Sequence, residues 1–169
     1  GYKYTVEGNK ITIKSCSDLE YRMLGSRVEG YWDFNYAGFT DGWKVQNGKM
    51  ELDGKGTLIV TPANGDPAIL KSVSFDASKY NQVKVGIKYF AGLENFTANF
   101  YFTTESDGAW NEAKSVKATY QIPQYVKEGN TVYIVFDLSS CDEWTGTILY
   151  IRIDAISGST QTHEFDSVQ

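Results

Sequence analysis

The sequence predicts an all-β protein, a β-sandwich or jelly roll of two antiparallel sheets. Almost no stretch of about a dozen residues repeats its apolar positions with the period of a helix. Instead, short runs that alternate apolar and polar residues are separated by Gly, Asn, Asp and Pro, which is typical of strands joined by turns. The length of 169 residues is enough for one domain with its own core. We therefore expect a single module, in which residues 1–30 form an N-terminal hairpin extension and residues 31–169 form the jelly-roll core.

The alternating runs predict the strands, and the Asn-Gly and Asp-Gly dipeptides between them predict the turns. Asn47-Gly48 and Asp53-Gly54 each lie between two such runs, which is a strong signal for a hairpin. The segment Asp76–Asn81 predicts a single helical turn. In chain order, the predicted strands are Lys3–Val6, Lys10–Ser15, Tyr31–Asn35, Trp43–Gln46, Lys49–Leu52, Thr57–Thr61, Ala68–Phe75, Gln82–Phe90, Thr97–Thr103, Lys114–Ile122, Thr131–Asp137, Ile148–Asp154 and Glu164–Val168.

Alternation also divides each strand into an inward and an outward set of side chains. In Thr97–Thr103 it directs the phenylalanines inward, and in Ile148–Asp154 it directs Leu149, Ile151 and Ile153 inward. Trp32 and Trp43 are assigned to the core or to packing at the end of the barrel. The outward residues that we expect to share one sheet face are Asn99, Tyr101, Gln121, Tyr150, Arg152 and Asp154.

The chemistry of this outward set points to a ligand with hydroxyl groups. Sugars present C–H faces that stack on aromatic rings, and hydroxyls that need planar donors and acceptors. Tyr, Asn, Gln, Arg and Asp supply both. Tyrosine is also common in strands for general reasons, so the inference depends on the coincidence across several strands.

Composition argues against two classes of partner. The net charge is −5 and no basic block is present, so we do not expect binding to nucleic acid. No apolar run approaches the roughly 18 residues of a membrane-spanning helix, so membrane insertion is not expected.

Aromatic residues make up 15% of the chain and include 12 tyrosines, which suits a surface that binds a partner in water.

The cysteines leave one question open. Cys16 and Cys141 allow at most one disulfide, and the sequence does not decide whether they pair. A zinc site needs about four ligands, and two cysteines with the single His163 are too few.

Several motifs in a fixed order resemble a known family. They are YWDFNYAGFTDGW from residue 31, GDPAILKSVSFDASKYNQVKVGIKY from residue 65, FYFTTESDGAWNEAKSV from residue 100, EWTGTILYIRIDA from residue 143 and FDSV from residue 165. This order resembles the jelly-roll, galactose-binding-like carbohydrate-binding modules of secreted bacterial xylanases and related glycanases. The resemblance covers residues 31–169 and leaves residues 1–30 outside.

The resemblance implies a non-catalytic function and a ligand face. Such a module binds a soluble polysaccharide in a groove on one concave sheet and holds a covalently linked glycoside hydrolase near its substrate. The six outward residues would line that sheet, with Trp110 and Trp144 as rim candidates, although either tryptophan could instead cover the end of the sandwich. It also implies a structural calcium held by Asn35, Glu51 and Asp166. We expect a monomer that is secreted or displayed on a bacterial cell surface.

Two other functions compete with glycan binding. A jelly-roll glycanase or lyase needs two carboxylates across a cleft, for which Asp137 and Asp154 are available. No strand concentrates acidic residues, however, and His163 lies in a loop-like stretch that does not suggest a catalytic triad. We therefore expect no enzyme activity. A cell-surface protein-interaction or adhesion domain is the other alternative, and an aromatic patch without polar partners would favour it.

Among glycans, the resemblance favours xylan or xylo-oligosaccharides. Tyrosines with few outward tryptophans suit a twisted soluble chain better than a flat crystalline surface. β-Glucan and mannan remain alternatives. A shallow groove that binds a hydrated chain loses much of its contact energy to desolvation, so we expect dissociation constants of about 1 μM to 1 mM.

Overall fold

A computed structural model describes residues 2–7, 10–15, 30–35, 40–90, 93 and 95–169 of the chain. β1 and β2 pair only with each other, as an antiparallel hairpin, within the predicted N-terminal extension. The strands are β1 (Tyr2–Glu7), β2 (Lys10–Ser15), β3 (Lys44–Gln46), β4 (Gly48–Leu52), β5 (Leu58–Pro62), β6 (Ala68–Asp76), β7 (Gln82–Lys88), β8 (Asn95–Thr104), β9 (Ser115–Gln121), β10 (Thr131–Asp137), β11 (Thr147–Asp154) and β12 (His163–Val168).

The ten strands from β3 to β12 form two antiparallel sheets of five strands. Sheet I has the order β10-β7-β12-β5-β4, and sheet II has the order β3-β6-β11-β8-β9. The chain crosses between the sheets repeatedly, for example from β5 in sheet I to β6 in sheet II and back to β7. The predicted β-sandwich of two antiparallel sheets is confirmed.

The core lies between the two sheets. Phe100 on sheet II and Phe136 on sheet I meet there with ring centroids 5.7 Å apart. Trp43 is buried and meets the partly buried Trp32 edge to face at 5.4 Å, so both tryptophans pack at the core as predicted. Burial of side chains of this size is the main source of stability of the fold. The other inward residues of the central strands include Val85, Ile87, Phe102, Ile134, Ile151 and Ile153.

Two predicted elements are shorter than the sequence suggests. The strand predicted over Tyr31–Asn35 is reduced to one bridge, in which Trp32 and Val168 exchange backbone hydrogen bonds of 2.8 and 2.9 Å. Phe34 interrupts the extension because its φ of 54° lies in the left-handed region. The helical turn predicted over Asp76–Asn81 is a single 3₁₀ turn at Ala77–Lys79, capped by the Asp76 carboxylate, which accepts a hydrogen bond from Ser78 N.

His163 differs from the sequence-based prediction. It is the first residue of β12 and is buried, whereas the sequence placed it in a loop. The residues before His163 are polar, so the sequence gives no sign that its side chain points into the core.

Candidate functional site

The structure places the six predicted outward residues on one face of sheet II. Tyr101 on β8 lies directly opposite Arg152 on β11, and Asn99 lies opposite Asp154. Gln121 ends β9 opposite Asn95 on β8. Because residues that alternate along paired strands share a face, these side chains form one surface, which we call the outer face of sheet II.

A β-bulge in β11 lies between Ile148 and Tyr150, and Tyr150 stays in phase with the outward Arg152 and Asp154. Ile148 pairs with Thr104 and Tyr150 pairs with Thr103, so two steps on β11 match one step on β8. The extra residue shifts the alternation, and therefore Ile148 points into the core while Tyr150 points outward. The prediction that Leu149 is the inward residue here is wrong, since Ile148 takes that place.

The two exposed aromatic side chains of this region, Trp110 and Tyr150, line the same groove. The groove has a volume of about 480 Å³, and its walls also include Lys44, Gln46, Ser72 and Thr103. Trp110 is 41% exposed and Tyr150 is 48% exposed. Rings that stay exposed beside hydroxyl and amide groups offer both stacking faces and hydrogen bonds.

The loop that carries Trp110 is fixed by a buried lysine. Lys114 Nζ lies 2.8 Å from Asp107 Oδ2 and donates a hydrogen bond of 2.8 Å to the Asp107 carbonyl oxygen. The Asp107 carboxylate also accepts from Ala109 N at 2.9 Å, and Asn111 Oδ1 accepts from Lys114 N at 3.1 Å. The hydrogen bond from Lys114 is the main reason that the pKa of Asp107 lies below its ordinary value. Trp110 therefore sits on an ordered turn.

Next to the groove, Arg152 organises a charged network. Its guanidinium donates from Nε and Nη2 to the two carboxylate oxygens of Asp154, at 2.7 and 2.8 Å. Asp66 lies 3.7 Å from Nη2. Burial raises the pKa of Asp154 above its ordinary value, although the hydrogen bonds from Arg152 act in the opposite direction. Asp154 thus fixes the orientation of the Arg152 guanidinium, and its own side chain is buried.

Tyr101 is outward-facing but is already in contact with its neighbours. The Arg152 guanidinium lies 5.4 Å from the centroid of its ring, and its hydroxyl donates to Glu112 Oε1 at 3.1 Å. Burial and this hydrogen bond raise the pKa of Tyr101. Its ring is less open to a ligand than those of Trp110 and Tyr150.

The predicted site residues Asn99 and Gln121 extend the face away from the groove. Asn99 Nδ2 donates to Ser157 Oγ at 2.9 Å. Gln121 lies at the other end of β9 from Ser115, about 20 Å away at the usual rise of a strand. There a second groove of about 370 Å³ is lined by Asn95, Gln121 and Gln124.

Trp144 does not line the ligand face, which corrects the prediction that it is a rim residue. It is 8% exposed, and its ring packs edge to face on Phe102 at a centroid distance of 4.8 Å. Its indole N–H donates to the carbonyl oxygens of Ala77 at 3.0 Å and Tyr80 at 2.8 Å. Since both its ring and its polar atom are occupied, Trp144 closes one end of the core.

The three residues predicted to hold calcium lie on different elements of the fold. Asn35 Oδ1 and the Asp33 carbonyl oxygen both lie beside Gly56, at 2.6 and 3.8 Å from where a Cβ would stand. Asp166 is close enough to Tyr31 to raise its pKa, after burial and Asp33. Glu51 stands on β4, which β5 separates from the β12 strand of Asp166. Asn35 and Asp166 thus lie on the same side of the antiparallel Trp32–Val168 bridge, whereas Glu51 lies two strands away from Asp166. In the part of the chain that the structure describes, no three His, Cys, Asp or Glu residues cluster as a metal site.

The carboxylates considered for a glycosidase lie on the outer faces of opposite sheets. Asp137 ends β10 in sheet I, whereas Asp154 ends β11 in sheet II. The Asp137 carboxylate caps a 3₁₀ turn by accepting from Ser139 N at 3.0 Å. This pair therefore cannot act across one cleft.

Cys141 carries a free thiol, which lies 3.6 Å from the Ala113 carbonyl oxygen. Cys16 lies outside the described residues. Across the described ranges, no helix is both long and apolar enough to cross a membrane.

Sequence reasoning missed part of the groove wall. Lys44 and Gln46 come from β3, the edge strand beside β6, and Ser72 comes from β6, opposite Tyr150. The outward alternation of these strands was visible, but their place in sheet II was not. The sequence analysis did not single out Glu112 either, although it accepts the hydrogen bond from the Tyr101 hydroxyl.

Comparison with known proteins gives likenesses of fold. No family model matches the chain, and no curated protein matches it. The K1 cleaved adhesin domain of Lys-gingipain from Porphyromonas gingivalis W83 aligns at 11% identity with a TM-score of 0.51, covering 82% of this chain and 94% of that one. A low-affinity xylan-binding module of family 86 from Roseburia intestinalis aligns at 17% identity with a TM-score of 0.43, covering 76% of this chain and 87% of that one.

A family 11 carbohydrate-binding module from Clostridium thermocellum, solved with a β-1,3-1,4-mixed-linked tetrasaccharide, aligns at 17% identity with a TM-score of 0.43, covering 83% of this chain and 95% of that one. The likeness to the adhesin domain shows that the chain shares a β-sandwich fold with a solved protein. Carbohydrate-binding modules are among the solved structures to which this chain is similar.

Proposed function

We propose that this chain is a non-catalytic module that binds a soluble polysaccharide on the outer face of sheet II. The observation that carries the proposal is the groove between Trp110 and Tyr150, two exposed aromatic side chains with hydroxyl, amide and ammonium groups between them. Leaving two large rings in water costs free energy in an isolated protein. A sugar chain recovers that free energy by covering the rings with its C–H faces and by pairing its hydroxyls with the polar walls.

Xylan or a xylo-oligosaccharide is the proposed ligand. The resemblance of the motifs to xylanase-linked modules supports this choice, and the long outer face of sheet II suits an extended chain. By the same resemblance, the module would be secreted and would hold a linked glycoside hydrolase at its substrate. The proposal also includes a structural calcium at Asn35, Glu51 and Asp166, supported by the oxygens beside Gly56.

The test is affinity electrophoresis in native gels that contain xylan, β-glucan, mannan or no polysaccharide. We expect the wild type to be retarded in the xylan gel. Trp110→Ala and Tyr150→Ala should each weaken binding about tenfold, because an aromatic anchor in a groove typically carries more than about 1 kcal/mol.

The matched control is Tyr133→Ala. Tyr133 is an exposed tyrosine on sheet I, with Lys84 Nζ 4.0 Å from the centroid of its ring. This variant should be retarded like the wild type. If Tyr133→Ala alone abolished retardation, the ligand face would lie on sheet I. Unretarded wild type in every gel would contradict binding to these glycans and favour a protein partner.

A further inference from the structure

A hydroxyl group near the floor of the groove has no hydrogen-bond partner. Thr103 is only 1% exposed, and its Oγ1 is buried without a donor or acceptor in reach. The next residue, Thr104, is fully engaged, since its Oγ1 lies 3.0 Å from Ser106 Oγ and accepts from Asp107 N at 3.1 Å. Burying an unpaired hydroxyl is unfavourable, and native proteins rarely retain one without a reason.

The position of Thr103 connects this hydroxyl to the groove. Phe102 points into the core, so alternation along β8 turns Thr103 to the outer face. Thr103 lies directly opposite Tyr150 in the β8–β11 ladder. Side chains opposite each other on one face have Cβ atoms roughly 5 Å apart. Thr103 therefore lies beside Tyr150 on the wall of a groove that Trp110 also lines.

The other unpaired buried polar atoms of the described residues are elsewhere. Trp43 Nε1 and His163 Nε2 also lack partners. Neither residue lines the groove between Trp110 and Tyr150. Of these three atoms, Thr103 Oγ1 is thus the one that a ligand in this groove would reach.

We propose that Thr103 determines specificity in this groove by pairing its free hydroxyl with a ring hydroxyl of the bound sugar. This inference rests on the proposed function, since it names a recognition group for the same ligand. The threonine hydroxyl can donate one hydrogen bond and accept two, which matches a sugar hydroxyl that does both. Because the hydroxyl is covered in the free protein, a side chain of the groove wall would have to move for the sugar to reach it. A sugar that lacks the matching hydroxyl would leave Thr103 unpaired, as it is in the free protein, and would bind more weakly because it forgoes this hydrogen bond.

The test is Thr103→Val, which replaces the hydroxyl by a methyl group of nearly the same shape. Because the hydroxyl is unpaired in the free protein, its removal should leave the melting temperature unchanged or raise it. Because the hydroxyl pairs with the ligand, the same change should weaken binding to xylan about fivefold. Thr103→Ser, which keeps the hydroxyl, should bind within about twofold of the wild type. Thr61→Val is the control, since Thr61 is an exposed threonine on β5 in sheet I, and it should bind xylan like the wild type.

Each other outcome overturns the inference in a recognisable way. If Thr103→Val binds like the wild type while Trp110→Ala and Tyr150→Ala lose binding, the groove is correct and Thr103 is not a recognition group. If Thr103→Val melts at a lower temperature, the hydroxyl has a structural partner and is not held free. If the wild type is not retarded in any glycan gel, the proposed function fails and this inference fails with it.

Discussion

His163 shows how one buried side chain can set the acid stability of the protein. It opens β12 with 1% of its surface exposed, and Nε2 has no hydrogen-bond partner. Burial lowers its pKa from 6.5 to about 4. The neutral form is therefore the one that the fold accepts, because an imidazolium would be buried without a counter-charge.

The sign of the pH effect follows from this shift. In the unfolded chain His163 is protonated below about pH 6.5, whereas in the folded chain it is protonated only below about pH 4. Stability should therefore fall as the pH drops through this window, by about 3 kcal/mol in total. Denaturant titrations at pH 7, 5.5 and 4.5 measure this loss.

His163→Leu serves as the comparison for this titration. It removes the titrating group, so the free energy of unfolding should lose most of its dependence on pH between 6.5 and 4. The carboxylates with lowered pKa, such as Asp53 and Asp107, lose their contribution only at lower pH. Equal pH dependence in both proteins would show that His163 is protonated in the folded state as readily as in the unfolded chain.

At the scale of elements, the loop between β8 and β9 determines where Trp110 stands. Lys114 is buried and reaches back to the carboxylate and carbonyl of Asp107. This contact spans the residues that precede and follow Trp110 in the turn. The buried ammonium and the turn thus fix the ring before any ligand arrives, which lowers the cost of ordering on binding.

Lys114→Met should show whether Lys114 acts by positioning the Trp110 ring or by contacting the ligand itself. It keeps the length of the side chain and removes the ammonium, so the fold should remain while the turn loosens. We expect the affinity for xylan to fall about fivefold. In a Trp110→Ala background the same change should cost less than about twofold, because its effect acts through Trp110. Isothermal titration of the four proteins measures this coupling, and additive losses would show that Lys114 supports binding independently of Trp110.

At the scale of the whole molecule, the proposed calcium would join the segment of Asn35 to the last strand. A ligand that binds only the folded state stabilises it by about 2.7 kcal/mol at a concentration 100 times its dissociation constant. For a chain of this size, that corresponds to roughly 5–10 °C in melting temperature. Thermal melts in calcium and in excess chelator should therefore differ.

Asn35→Ala should abolish the difference in melting temperature between calcium and chelator. Asn81 is an exposed asparagine before β7, and Asn81→Ala should preserve that difference. Identical melting curves of the wild type in calcium and in chelator would contradict the calcium site.

Most of the architecture was readable from the sequence because alternation and turn residues are local signals. The outward set on β8 and β11 was predictable for the same reason, and the pairing of Tyr101 with Arg152 places it on one face. The bulge in β11 was not predictable, since Ile148 and Leu149 are equally apolar and only pairing reveals which one turns inward. Trp110 and Trp144 look alike in sequence, each in a turn near a glycine. Only the packing of Trp144 on Phe102 tells them apart.

The alternation of β8 and β11 has a consequence for how such a protein can evolve. Phe102 and Ile151 are buried in the core. Their neighbours in the chain, Tyr101 and Arg152, face outward and are not part of the core. Replacing an outward residue therefore changes what the surface recognises without disturbing the packing beneath. A duplicated copy can drift toward a new ligand one substitution at a time and remain folded at every step.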